Sequence, residues 1–491
     1  MIPETQTSSI PSHPQPKPFW HRLVYASLGV HLAIVLLLAG GLRAACFLVS
    51  SQDPVARQMD ADSIRYLTLG LNLAEGKGFG RLLAKDKTSP PRWTAELCRP
   101  PVYPAIIAFW QLISGDGRTG TIVFQNLLGL AVCATATIVA RRSWGSAAGL
   151  FAGLMLAADA QGVALSNLVL TEAISGVVMF FLVMVMARAL ANSSPSTGLL
   201  VGLLVGAAAL IRTMAAALPL VLGGGWLVQC FLKRNRRGAV AALLLLMAGT
   251  GAVGLWIVRN GLAAGEYTFS SLPRWALLME QASRTLEAAR HIPFEDAQME
   301  LTAAADLDAY RVRELPLSAQ QNSKLREVAF RTIWENPAAY LRVSAVHTAK
   351  MVCAPSKFIL KILGLPLVSF GTSSDEATPP AGVRLLAWML LVYQILYLGI
   401  LYLAAIRTIA ALRRGFVSAP ILNLSIVLIL YTLALSAGAP GEYRYRWPVI
   451  PLVVLVASAS LAKVRDRAAE GPTPQPNHGP RAADCAAPGQ P

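Results

Sequence analysis

The sequence is short of charge: Asp, Glu, Lys and Arg make up 14% of its 491 residues, where a soluble domain carries roughly 25%. That shortage excludes a chain built mainly of soluble domains. Cysteine is scarce and scattered. Cys46, Cys133 and Cys230 lie in or beside apolar runs, Cys98 and Cys353 in polar segments and Cys485 near the end, with no Cys-x-x-Cys pair. The six histidines show no paired spacing, so the pattern of a zinc or redox site is missing. Gly76-Lys77-Gly78-Phe79-Gly80 is glycine-rich, but it lacks the preceding strand and the Gly-Lys-Ser/Thr ending of a nucleotide-binding loop. It reads as a turn. Apolar and polar residues do not alternate over strand-length segments, which argues against an outer-membrane barrel. No internal repeat is evident.

What the chain has in abundance is apolar length. Hydrophobic residues make up 54% of it, and several runs approach the ~20 residues that a membrane-crossing helix needs. The spans read as residues 23–50, 121–140, 147–165, 173–190, a pair of short helices within 198–232 broken around Arg212, 239–258, 385–406, 419–436 and 447–461. That is about ten spans in all. The first run is too long for a signal-peptide core and has no convincing cleavage site, so it is expected to be retained.

The net charge of +16 comes largely from clusters between the runs. Lys17, His21 and Arg22 precede the first run, Arg141-Arg142 follow the second, and Lys233-Arg234-Asn235-Arg236-Arg237 form the strongest cluster. Arg407, Arg413 and Arg414, then Lys463, Arg465 and Arg467, complete the set. Such clusters mark the cytoplasmic side of a polytopic protein, which argues against nucleic acid as the partner and puts both termini inside. Residues 1–18 and 465–491 are expected to be disordered cytoplasmic tails. Residues 51–118 and 260–382 fall outside, with helices expected at 277–290 and 324–334. A basic amphipathic stretch at 340–363, carrying His347, Lys350, Lys357 and Lys361, is expected to lie along the membrane surface. Cys98 and Cys353 then share the outer side, which leaves a disulfide between them open.

Chemistry concentrates in residues 60–104. Asp62 and Tyr66 are four apart, and Leu67, Leu69, Leu71 and Leu73 allow an amphipathic helix. Such a helix on the outer face holds Asp62 at the mouth of a cavity between spans, where a carboxylate can act as general base. The alternative is that Asp60 or Asp62 caps the helix. Arg99-Pro100-Pro101 predicts extended backbone. Residues 103–113 form an apolar stretch too short to span, hence interfacial or re-entrant.

The order of these elements carries a resemblance. Asp62-x-x-x-Tyr66, Asn72-Leu73-x-x-Gly76-x-Gly78-Phe79 and Arg99-Pro100-Pro101-x-Tyr103-Pro104 follow one another as in the multi-spanning glycosyltransferases of the GT-C fold. The branch it resembles contains protein O-mannosyltransferases and the lipid A aminoarabinose transferase, glycosyltransferase family 39. Leu170-Thr171-Glu172, Leu210-Ile211-Arg212 and Trp256-Ile257-Val258-Arg259-Asn260 match further motifs in the same order. So do Glu335-Asn336-Pro337-Ala338-Ala339-Tyr340-Leu341 and Arg444-Tyr445-Arg446-Trp447-Pro448. Each is degenerate alone; together they cover nearly the whole chain.

The resemblance implies an all-α polytopic GT-C domain over residues 19–464, with amphipathic juxtamembrane helices in the first outer loop and a long outer loop before the last three spans. It implies an inverting hexosyl- or pentosyltransferase that takes its sugar from a polyprenyl phosphate. The acceptor would be a hydroxyl or amine-bearing glycoconjugate (glycan, lipid or protein) at the extracytoplasmic face of a bacterial inner membrane. It selects Asp62 as base, because the family's essential acid precedes Tyr by four. Ser63 stands where several relatives carry a second acid; Asp60 is then the alternative source of that charge, and a divalent metal, which wants clustered oxygen ligands, is not favoured. No cofactor is expected. Glu172 is either a helix-end carboxylate in headgroup water or a partner of Asp62. Arg444 and Arg446 are either interfacial anchors or a clamp for the lipid phosphate, with Arg99, Arg259 and Arg212 as further candidates. Tyr66 and Tyr103 are the substrate-positioning candidates. A transporter or flippase of lipid-linked sugar, or a non-catalytic scaffold, remains the alternative.

Overall fold

Nearly every apolar run becomes a helix, since a backbone in lipid must satisfy its own hydrogen bonds. The computed structural model describes residues 23–83, 90–307, 312–313, 315–365, 380–413, 420–436 and 442–462. The two expected tails, Lys17, His21, Arg22, Arg414, Lys463, Arg465, Arg467 and Cys485 lie outside them.

The first half runs α1 (Leu28–Ser50), α2 (Pro54–Gln58), α3 (Ala61–Ala74), the strands β1 (Gly80–Leu83) and β2 (Arg92–Ala95), then α4 (Val102–Ser114) and α5 (Gly117–Trp144). It continues through α6 (Ser146–Ala157), α7 (Ala160–Ser166), α8 (Thr171–Asn192), α9 (Pro195–Ile211), α10 (Gly225–Leu232) and α11 (Arg236–Ala264). Among the described residues, six helices are long and apolar enough to cross a membrane: Leu28–Ser50, Gly117–Trp144, Thr171–Asn192, Thr213–Leu232, Arg236–Ala264 and Ala381–Arg413. The pair α6 and α7, bent by 52°, makes a seventh if it is one span. This is a multi-pass membrane protein. Val102–Ser114, Pro195–Ile211 and Pro420–Ser436 are shorter apolar helices, so the expected count of about ten depends on whether such helices cross.

Close helix approach here relies on small residues. Gly198, Gly202 and Gly206 lie four apart on α9 and face α11: a Cβ on Gly198 would sit 2.3 Å from the Ala241 carbonyl oxygen, and one on Gly202 2.8 Å from that of Leu245. Such small-x-x-x-small faces let backbones touch where lipid gives no hydrophobic drive to pair helices.

The segment 260–382 is not a plain polar loop. It holds α12 (Leu272–Trp275), α13 (Ser283–Arg290), α14 (Phe294–Ala304), α15 (Ala319–Glu335), α16 (Pro337–Cys353) and α17 (Phe358–Leu363). Leu278, Met279, Ala282, Leu286, Leu301 and Leu325 are buried there in a core separate from that of the long helices. The stretch 340–363 is two helices, because Ala354 is extended (ψ 139°) and Pro355 follows. The chain closes with α18 (Ala381–Arg413), α19 (Pro420–Ser436), a 3₁₀ turn over Tyr443–Val449 and α20 (Ile450–Ser458).

A two-stranded antiparallel hairpin, β1 with β2 and Leu82 opposite Trp93, was not expected from the sequence. The expected extended run at Arg99-Pro100-Pro101 ends early: Pro101 is in the αR region (φ −85°, ψ −22°) and caps α4. Helix α3 lies directly on α4, where a Cβ on Gly70 would meet Ile107 Cγ2 at 2.5 Å. That contact fixes the height and roll of the helix that carries Asp62.

Candidate active site

The first turn of α3 divides the labour of its two carboxylates. Asp60 is the N-cap, its Oδ1 accepting from the Ala61 amide at 2.8 Å. Asp62 is left to face the body of the protein. There it accepts from Arg99 Nη2 at 2.7 Å, Arg444 Nη2 at 3.1 Å and Arg313 Nη2 at 3.3 Å. The three guanidinium groups come from three distant parts of the chain: the turn before α4, the start of the last apolar segment, and the segment between α14 and α15. Burial works against the charged form of Asp62, yet Arg444, Arg99 and Arg313 outweigh it and hold its carboxyl well below the usual carboxylate range. Burial pushes Tyr66 up to about 12, so its phenol stays neutral beside Arg99, whose guanidinium lies 5.3 Å from the ring centre.

Arg444 joins Asp62 to the other acids. It pairs with Glu442, lies 3.7 Å from Glu172 Oε1 and reaches Asp60 Oδ2 at 4.0 Å. Glu172, at the start of α8 and 3% exposed, also pairs with Arg212 Nη1 at 3.1 Å. Arg212 sits at the break after α9, where an extended backbone (φ −142°, ψ 126°) ends the helix, and its guanidinium lies over the Tyr445 ring at 5.2 Å. Lys361, from the stretch expected along the membrane surface, lies 3.9 Å from Asp60 Oδ1. The side chain of Asp62 remains 25% exposed. Arg99 is 4% exposed, and its Nη1 is buried without a hydrogen bond. The nearest acid oxygen to that nitrogen is Glu96 Oε1 at 3.9 Å, too long for a hydrogen bond.

The structure therefore brings together Asp60, Asp62, Glu172, Tyr66, Arg99, Arg212 and Arg444. It takes Arg446, Arg259 and Tyr103 elsewhere. Arg446 is 3% exposed and donates to Gln161 Oε1 at 3.0 Å and to the carbonyls of Met351, Val352 and Ala354. In a 3₁₀ turn, residues two apart point in different directions, so Arg444 and Arg446 cannot share one partner. Arg259 donates to the carbonyls of Glu96 (2.9 Å) and Phe79 (2.7 Å) and ties α11 to the hairpin. Tyr103 is fully buried, bonded to Gln125 Oε1 at 3.0 Å, and meets Tyr66 edge-on. Cys98 is buried and Cys353 exposed, and no disulfide joins them. Arg313 and Glu442 were not singled out beforehand. Arg313 carried no motif, although Glu442 lies two residues before Arg444 and could have been read with it.

Among the described residues, no group of three or more His, Cys, Asp or Glu side chains is placed to hold a metal ion. The carboxylates of Asp60, Asp62 and Glu172 are instead interleaved with arginines.

No curated protein matches the sequence. Among solved structures, the chain is similar to the oligosaccharyltransferase of Archaeoglobus fulgidus in the apo form, at 11% identity and a TM-score of 0.49, over 90% of this chain and 50% of that one. The chain thus spans about half the length of that protein. It is also similar to ArnT from Cupriavidus metallidurans bound to undecaprenyl phosphate, at 15% identity and a TM-score of 0.36, over 89% of this chain and 78% of that one. In sequence, residues 98–256, from the turn that carries Arg99 through the helix that carries Glu172 and on to α11, match the dolichyl-phosphate-mannose-protein mannosyltransferase family, the resemblance that the motifs had carried.

Proposed function

We propose that the protein is an inverting membrane glycosyltransferase that moves a sugar from a polyprenyl phosphate to an acceptor hydroxyl or amine, with Asp62 as the general base. One observation carries the reading: Arg99, Arg313 and Arg444 converge on Asp62 at 2.7, 3.3 and 3.1 Å. Three guanidinium groups gathered at one partly exposed carboxylate suit the charge that grows on a departing phosphate. The acceptor oxygen or nitrogen attacks the anomeric carbon and its proton passes to Asp62. The bond from that carbon to the phosphate oxygen breaks, and the electron pair leaves with the phosphate into the arginine group. Glu172, shared between Arg212 and Arg444, holds the clamp in position from behind.

Held by three arginines, Asp62 is a weak base, because base strength follows pKa. A bound donor phosphate draws those guanidinium groups onto its own oxygens and returns basicity to Asp62 in the complex where it is needed. The order of events is thereby built into the charges. Asp62→Asn should lower transfer from a polyprenyl-phosphate sugar by about 10²–10⁴-fold, with membrane insertion and polyprenyl-phosphate binding retained. Wild-type transfer rates in that variant would end the assignment.

A further inference from the structure

The helices that meet at Asp62 have far ends, and a second cavity lies there. Helix α8 runs 22 residues away from Glu172, a rise of about 33 Å against a hydrocarbon thickness of ~30 Å. At that end the close of α8, the close of α10 and the opening of α19 leave a cavity of about 480 Å³, within the ~300–1,000 Å³ range of ligand clefts. Its lining is graded along the helices. Lys233 closes α10, Gln229 and Asn423 lie one turn in, and Trp226 and Val427 lie two turns in. Charge gives way to amide and amide to hydrocarbon. The rim is held in place, since Asn235 Nδ2 donates to Ser193 Oγ at 2.9 Å and Asn235 Oδ1 accepts from the Gly238 amide at 2.9 Å.

The charge at the mouth is uncompensated by the chain that builds it. Lys233 heads the run Lys233-Arg234-Asn235-Arg236-Arg237, and no Asp or Glu occurs in residues 173–265 or 377–441, the stretches that supply every lining residue. Arg236 and Arg237 open α11, so cations crowd the positive end of a helix dipole, where an anion is favoured. A cluster that only sets topology needs charge near the membrane and no cavity. We propose that the cavity seats one anionic phospholipid from the leaflet away from Asp62. Basic pockets between spanning helices suit such headgroups. The phosphodiester meets Lys233, the ester carbonyls accept from the Gln229 and Asn423 amides, and an acyl chain lies along Trp226 and Val427. A polyprenyl phosphate offers the same phosphate but no ester carbonyls for the two amides. The bound lipid ties α8, α10 and α19 together and stabilises their junction by mass action. This site does not rest on the transferase reading.

The test uses the full chain in neutral detergent, with binding of phosphatidylglycerol, phosphatidylcholine and undecaprenyl phosphate read by native mass spectrometry. Wild type should hold phosphatidylglycerol about tenfold more tightly than phosphatidylcholine. Lys233→Gln should weaken phosphatidylglycerol alone, about fivefold, the worth of one cation near a lipid surface. Val427→Trp keeps every cation and fills the apolar end, so it should weaken both phospholipids about fivefold. Lys233 and Val427 are both exposed, so both variants should fold, which their melting curves check. Undecaprenyl phosphate should bind wild type and both variants alike. Equal affinity for the two phospholipids in wild type overturns the proposal. So does wild-type affinity for phosphatidylglycerol in either variant; in Val427→Trp it would leave a charged surface with no seat behind it. If undecaprenyl phosphate weakens in step with phosphatidylglycerol in both variants, the cavity takes a prenyl phosphate and the phospholipid assignment falls.

Discussion

Two buried charge groups share this molecule and behave oppositely. Around Asp159, at the bend between α6 and α7, every contact closes on the protein. Asp159 Oδ2 accepts from Trp447 Nε1 at 2.7 Å and Oδ1 from the Gln161 amide at 3.2 Å, while Gln161 and three carbonyls take up Arg446. Around Asp62 the charges are more numerous and partly exposed, and Arg99 Nη1 makes no hydrogen bond, its nearest acid oxygen being Glu96 Oε1 at 3.9 Å. A saturated buried network specifies packing. An unsaturated one at an opening is arranged for something that is not yet there. Counting the unmet bonds separates the two better than counting charges.

That contrast can be broken by substitution. Arg444→Gln should cost the largest loss of transfer after Asp62→Asn, about 10²–10³-fold, with little change in the thermal unfolding midpoint. A large stability loss with normal activity per folded molecule would reverse the assignment of the two groups. Asp159→Ala should do the opposite. It leaves the Trp447 indole and nearby Arg446 without their acid, at a cost of about 3 kcal/mol, while the surviving folded protein keeps its turnover. Detergent-solubilised melting curves, paired with activity per folded molecule, decide both. Arg313→Gln should lower transfer about tenfold, since Arg313 makes the longest of the three contacts to Asp62, at 3.3 Å.

The smallest effect expected is a shift in pH profile. In the free protein Asp62 is held below the ordinary carboxylate range, so it stays ionised until the medium is strongly acid. On the proposed mechanism, donor phosphate removes part of that stabilisation and raises its pKa. The acid limb of kcat, which reports the complex, should therefore lie at higher pH than the acid limb of kcat/KM for the donor. Coincident limbs would show that the phosphate leaves the arginines where they were.

The apolar helices were legible because length and composition alone decide them. Asp62, Tyr66 and Arg99 were legible because they share one short stretch. What capping left ambiguous, geometry divided: Asp60 took the amide and Asp62 the arginines. Arg313 was not legible, for it is one of several arginines in a mixed-charge segment and meets Asp62 across 251 positions. Arg444 and Arg446 looked equivalent until the 3₁₀ turn sent them to different partners. The hairpin escaped because its strands, Gly80–Leu83 and Arg92–Ala95, are only four residues each, too short for an alternating pattern to stand out.

The guanidinium groups at Asp62 also set an order on assembly. Arg99 precedes most of the long helices and Arg444 follows them. A chain that has emerged only as far as α19 carries Asp62, Arg99 and Arg313 but not Arg444, so the charge cluster closes only when the segment after α19 packs back against α3.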